Sequence, residues 1–206
     1  MSRRPRAQEA EAGHGRYPGA MTDTAARDRL LQLIRDLAVV RGKVTLSSGA
    51  EADYYVDLRR ITLHHEASPL VGTVMLDVLR EAGLVPGVEA VGGLTLGADP
   101  VATAVMHASA AAGLGIDAFV VRKEQKAHGL QRRIEGPDVT GRRVVAVEDT
   151  STTGGSVLTA VEALREAGAR IDAVAVIVHR SEASREAVES AGLRYLYAYE
   201  LDELGL

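Results

Sequence analysis

Residues 143–156 read Arg-Val-Val-Ala-Val-Glu-Asp-Thr-Ser-Thr-Thr-Gly-Gly-Ser, and this order carries more chemistry than any other stretch of the chain. The β-branched run at 144–147 predicts a buried strand. Glu148 and Asp149 follow it directly. Then comes a hydroxyl- and glycine-rich turn, Thr150, Ser151, Thr152, Thr153, Gly154, Gly155 and Ser156, with a helical pattern from Val157. A turn that opens a helix presents free N–H groups and the positive end of the helix dipole, which together hold a phosphate. Gly154 and Gly155 let the backbone approach an anion closely, and the hydroxyls add donors. The two carboxylates would repel that phosphate, but they suit the vicinal hydroxyls of a ribose, as an acid does in dinucleotide folds. Acids on one side and a phosphate cradle on the other predict a site for a ribose 5-phosphate.

A second segment, Arg122-Lys123-Glu124-Gln125-Lys126-Ala127-His128-Gly129, also follows a predicted strand, and Arg132 and Arg133 extend it. In a chain of net charge −4 it is the densest cationic stretch. A charge run is most often a solvated face. Here the polar segment continues to Thr140, long for a connection in a compact domain, and long loops often act as lids. Cations and an imidazole placed where negative charge develops lower a barrier electrostatically. A lid closing over the site would also keep water out.

The elements that must hold these segments follow from periodicity. Thr22 or Thr24 caps a predicted helix to about Val40, with Leu30, Leu31, Ile34, Leu37 and Ala38 on its apolar face. Short strands are expected at 43–46 and 53–58, joined by a polar turn at 47–51. A helix starts near Pro69 and closes at Gly83. Strands are expected at 88–92, 116–121, 144–147, 171–178 and 193–199, with helices at 100–112, 157–167 and Glu182–Ser190 between them. The terminal residues 200–206 read as a short tail. Strands alternating with helices imply a mostly parallel sheet covered on both faces. Ligands in such sheets gather at the carboxyl ends of the strands. Four loops then converge, at 93–99, 122–136, 148–156 and 179–184, and Arg180 in the last suits a planar carboxylate.

The string at 143–156 resembles the phosphoribosyl pyrophosphate (PRPP) signature of type I phosphoribosyltransferases. Arg-Lys-x-x-Lys-x-His-Gly at 122–129 is similar to the flexible catalytic loop of orotate phosphoribosyltransferases. Similarity extends from about Thr22 to Tyr199, through Thr45-Leu46-Ser47-Ser48-Gly49 and Tyr54-Tyr55-Val56-Asp57. The resemblance implies the type I fold, with a small N-terminal hood, over one domain at 21–206. It implies transfer of ribose 5-phosphate from PRPP to orotate, giving orotidine 5′-monophosphate and pyrophosphate, in pyrimidine synthesis. Catalytic roles fall on Lys126, His128 and Asp149. Arg122, Lys126 and His128 would meet the pyrophosphate from the neighbouring subunit of a homodimer, and Lys123 would meet PRPP in its own. Glu148 and Asp149 would hold the ribose hydroxyls, with Thr150 through Ser156 on the 5-phosphate. Thr152 and Arg180 would contact orotate. Mg²⁺ would arrive on the oxygens of PRPP rather than in a protein cage. The chain departs from the pattern at Ser47 and Gly97, where many members carry lysine, so two cations expected near the base and pyrophosphate are missing.

Composition narrows the alternatives. The 206 residues suffice for a sizeable core. There is no cysteine, so no disulfide framework or thiolate metal site exists, and a cytoplasmic setting is expected. The apolar runs are too short to span a bilayer. Net negative charge and aromatics of only 3 % argue against a nucleic-acid partner. Residues 1–20 lack periodicity and read as a disordered extension, with Met21 an alternative start. Gly113-Leu-Gly115-Ile-Asp-Ala118 follows a helix rather than a strand, the reverse of a dinucleotide fingerprint. His64 and His65 read as a surface pair at a strand end, His107 as a packed helical histidine, and Asp99-Pro100 as a helix start. A different nucleobase transferase, such as an adenine-specific one, lacks the basic-loop pattern. A PRPP-sensing regulator needs a DNA-binding element, for which residues 1–20 are too short.

Overall fold

The computed structural model describes residues 23–45, 51–123 and 133–206. The extension at 1–20, the segment Leu46-Ser47-Ser48-Gly49, and Lys126 and His128 of the basic loop lie outside the described residues.

The chain opens with α1 (Asp23–Leu33), continued by one π-helical turn at Ile34–Ala38. The expected helix therefore stops short of Val40. Val39 and Val40 instead begin β1 (Val39–Thr45), which pairs antiparallel with β2 (Glu51–Val56). β-Branched residues at a helix end lose side-chain freedom, and a strand partner decides their state. A four-residue helix, α2 (Arg59–Thr62), comes next; it is too short to leave a periodic signal in the sequence. The remaining elements are α3 (Ala67–Glu81), β3 (Ala90–Leu94), α4 (Ala98–Ala111), β4 (Asp117–Val121) and β5 (Ile134–Glu135). They are followed by β6 (Arg143–Ser151), α5 (Gly155–Glu166), β7 (Arg170–His179), α6 (Glu182–Ser190) and β8 (Arg194–Glu200). Residues expected as a tail include the end of β8 and a 3₁₀ turn at Asp202–Leu204, whose Leu204 is buried.

Among the described residues, six strands form the main sheet in the order β5-β4-β3-β6-β7-β8, and β1–β2 make a separate hairpin, the expected hood. β5 pairs antiparallel with β4, and the other neighbours in the main sheet are parallel. From β3 the chain moves outward to β4; from β6 it moves the other way to β7 and β8. The strand order therefore reverses between β3 and β6, the place where open α/β sheets bind ligands.

Both faces of the sheet are covered. Val145 and Val147 of β6 pack with α1, α3 and α4, while Val144 and Ala146 pack with α5 and α6. Alternate residues of one strand thus enter two different cores, which explains its unbroken apolar run. Each such valine contributes roughly 1.5–3 kcal/mol by its burial. Tyr199 on β8 ties the sheet to α1: its hydroxyl donates to Arg27 O at 2.8 Å, and the Arg27 guanidinium lies 4.9 Å above its ring.

Two histidine readings change. His107 is exposed on α4 rather than packed. His64 and His65 lie in the turn between α2 and α3, not at a strand end, with ring centroids 4.5 Å apart.

Candidate active site

A cavity of about 280 Å³ opens at the β3/β6 reversal. Tyr55, Asp57 and Arg59 line it from the hood and α2, and Thr95, Leu96 and Gly97 from the loop after β3. Lys123, Glu148, Asp149, Thr150, Ser156 and Arg180 complete it. Two larger cavities, of about 540 and 350 Å³, lie beside Leu63 and behind Arg133, and neither gathers these groups.

The phosphate loop differs from its sequence reading in one respect. β6 extends through Ser151, so Glu148, Asp149, Thr150 and Ser151 are strand residues, and the turn proper is confined to Thr152, Thr153 and Gly154. The cause is pairing with β7, which continues to Ser151 opposite His179. The Thr150 hydroxyl reinforces that pairing by donating to Val178 O at 3.1 Å. Gly154 turns the chain into α5 at φ 79°, a left-handed conformation that a side-chain-bearing residue adopts at a cost of about 1–2 kcal/mol. Ser151 Oγ accepts from the Gly154 N–H at 3.1 Å and is buried, so this hydroxyl builds the turn. Thr152, Thr153 and Gly155 are exposed and do not line the cavity, whereas Thr150 and Ser156 do.

Within the acid pair, Glu148 is buried and Asp149 half-buried. Glu148 is only 5 % exposed. Burial, with the negative charge of Asp149 beside it, pushes its carboxyl up to about 8. Burial raises Asp149 as well, against the pull of the Thr150 N–H, which donates to Asp149 Oδ1 at 2.6 Å. Such a pair is primed to gain stability from hydroxyl donors or a cation brought by a ligand. Gly97 belongs to the same arrangement. A Cβ there would lie 1.7 Å from Glu148 Oε1, so the glycine makes room for the carboxylate. The missing lysine at this position therefore has a steric counterpart in the chain itself.

Arg180 owes its place to strong local order on both sides. His179, expected in a loop, is the last residue of β7 and is buried, with Nε2 3.1 Å from Glu182 Oε1. Ser181 caps α6 by accepting from the Ala183 N–H at 3.2 Å. The guanidinium is thus carried between a strand end and a helix cap. Lys123 is exposed and lines the cavity. Arg122 does not line it; its guanidinium lies 3.5 Å from Glu135, and its backbone N–H donates to Arg133 O at 2.8 Å.

Arg59 was not legible as a site residue. It stands in a Leu-Arg-Arg run after β2, and only α2 turns it into the cavity. Its Nε donates to Asp57 Oδ1 at 2.8 Å, and its Nη2 lies 3.4 Å from the Tyr55 hydroxyl. The signal available was a cation two residues after an acid at a strand end.

A family model for the phosphoribosyl transferase domain matches residues 92–193. The orotate phosphoribosyltransferase of Streptomyces coelicolor is 65 % identical over 187 residues, covering 90 % of this chain and 100 % of that protein. The Mycobacterium tuberculosis H37Rv enzyme of the same name is 58 % identical over 180 residues, 87 % of this chain and 97 % of that protein. A crystal structure of the M. tuberculosis orotate phosphoribosyltransferase in complex with PRPP superposes with a TM-score of 0.74 at 54 % identity, covering 88 % of this chain and 99 % of that one. With an acid pair, a phosphate-type turn and three cations around one cavity at the sheet's reversal point, and relatives this similar over nearly their whole length, the chain belongs to the orotate phosphoribosyltransferase family.

Proposed function

We propose that this chain is a cytoplasmic enzyme that transfers the ribose 5-phosphate of PRPP to orotate, releasing pyrophosphate and orotidine 5′-monophosphate. The observation that carries the reading is the single cavity holding Glu148, Asp149, Thr150, Ser156, Lys123 and Arg180. The C1–O bond to pyrophosphate breaks, its electron pair leaving with the pyrophosphate, a bond from the orotate ring nitrogen to C1 forms, and the proton that nitrogen carried is released to the pyrophosphate or to solvent. The transition state has oxocarbenium character, as in glycosyl transfer generally. Glu148 and Asp149 hold the ribose hydroxyls and orient C1. The turn from Thr150 to Ser156 anchors the 5-phosphate, with Thr150 and Ser156 on the cavity wall, donors of the exposed Thr152, Thr153 and Gly155 beyond it, and Gly154, its N–H held by Ser151, shaping the turn. Arg180, with Thr152, fixes orotate through its carboxylate and carbonyls, and Lys123 meets PRPP. The carboxylate oxygens of the acid pair are hard donors that suit Mg²⁺ carried in by PRPP. Carried on the oxygens of PRPP, such an ion would offset the charge that develops on pyrophosphate.

The same reading places Arg122, Lys126 and His128 in the partner's site of a homodimer. Arg122 stays out of its own cavity. Leu63 and Leu96 are large apolar side chains, 74 % and 69 % exposed, and Leu96 lines both the site and the neighbouring groove. In the proposed homodimer a second copy covers them. The deciding test is PRPP-dependent loss of orotate absorbance, run beside adenine, uracil and nicotinate. Orotate alone should be consumed; turnover of adenine with orotate inert would overturn the assignment.

A further inference from the structure

Among the described residues the cavity holds three acids, Asp57, Glu148 and Asp149, and three cations, and it must receive substrates that are themselves anionic. Two of its cations, Lys123 and Arg180, have roles in the reading above, and the third, Arg59, has none. Its placement is specific. Asp57 Oδ1 accepts from both the backbone N–H of Arg59 at 3.3 Å and its Nε–H at 2.8 Å, so one carboxylate fixes the helix start and the side chain together. Nη2 faces the Tyr55 hydroxyl at 3.4 Å. A guanidinium has five N–H donors, and these contacts use two of them. The Arg59 side chain is nevertheless 50 % exposed, open to the cavity it lines.

The opposite wall cannot supply this charge. Residues 94–97 carry no cation, and a side chain at Gly97 would begin 1.7 Å from Glu148 Oε1. The charge of Arg59 also reaches Asp149, whose ionised form it favours. An anion entering beside Asp149 meets less repulsion with Arg59 in place.

We infer that Arg59 is a substrate-binding residue, presenting its remaining N–H groups to an anionic group of a substrate. Two groups have that chemistry, the pyrophosphate of PRPP and the carboxylate of orotate. Both accept a planar guanidinium fork, and Arg59 is preorganised to offer one. The inference rests on the proposed reaction, and the experiment separates the two.

Wild-type enzyme is first shown to consume orotate with PRPP; failure here overturns the reaction, whatever Arg59 does. KM for orotate, KM for PRPP and the calorimetric Kd for pyrophosphate with Mg²⁺ are then measured for wild type, Arg59→Ala and Arg59→Lys. Removing a hydrogen bond to a charged group should cost at least about tenfold in one of these constants. A rise in the pyrophosphate Kd assigns Arg59 to the leaving group. A rise confined to the KM for orotate assigns it to the carboxylate. Arg59→Lys should recover part of the loss, and the unfolding midpoint of both variants should stay at the wild-type value, since the side chain is half exposed. Changes below threefold in all three constants for Arg59→Ala, with turnover intact in wild type, would overturn the inference.

Discussion

Replacing Glu148 by Gln should make the free enzyme more stable in mild alkali while weakening its grip on PRPP. The carboxyl is pushed from 4.5 up to about 8, chiefly by burial and then by the charge of Asp149. Between these two pH values the folded state keeps a proton that the unfolded state releases. The native protein then binds more protons, and stability falls as pH rises through the window. It is fully retained near pH 4.5 and lost by about pH 8, the opposite of a salt-bridged carboxylate. A displacement from 4.5 to about 8 sets a ceiling of about 5 kcal/mol on the loss. The effective dielectric around a buried charge, well above that of dry protein, relieves much of it, leaving on the order of 2 kcal/mol. In a chain of 206 residues that corresponds to roughly 4–8 °C in the unfolding midpoint. Glutamine keeps the size of the side chain and never ionises, so the variant escapes the loss. Thermal melts of wild type and Glu148→Gln, without ligand, from pH 5 to pH 9 read the effect directly. The midpoints should nearly coincide at pH 5 and separate as pH rises, with the variant higher. A midpoint difference that stays constant across the range would refute the claim that Glu148 keeps its proton in the folded state.

Other outcomes follow from the same geometry. Gly97→Ala puts a Cβ 1.7 Å from Glu148 Oε1, so the carboxylate must swing away; the KM for PRPP should rise at least about tenfold with the fold intact. An unchanged KM would mean that this position of Glu148 is not the one used. Arg180→Ala should raise the KM for orotate far more than that for PRPP, and equal rises would remove Arg180 from the base site. Lys126→Ala and Asp149→Asn should each be nearly inactive alone. After subunit exchange, a loop acting in trans restores one site per hybrid dimer, recovering roughly a quarter of wild-type activity. Proven exchange with no recovery would refute the trans assignment of Arg122, Lys126 and His128.

The chain's sequence by itself determined the parts of the site that are consecutive. Strand, acid pair, hydroxyl turn and helix at 143–156 are adjacent along the backbone, and a phosphate cradle is made of successive N–H groups, so its chemistry is local. The alternation of apolar runs with amphipathic stretches likewise fixed a parallel sheet with helices on both faces. What depended on partners across the sheet could not be read. Val39 and Val40 left the first helix because β2 offered them a strand to pair with. β6 ran on to Ser151, and β7 to His179, because each held the other in register. Arg59 became a wall of the cavity only when a helix of four residues, below the length at which periodicity speaks, turned it toward Asp149. The fit between Gly97 and Glu148 is wholly tertiary: a missing side chain on one loop is the room occupied by a carboxylate from a strand 51 residues later. The high proton affinity of that carboxylate has the same origin, because burial and proximity to another charge are properties of the folded cavity and not of the order of residues.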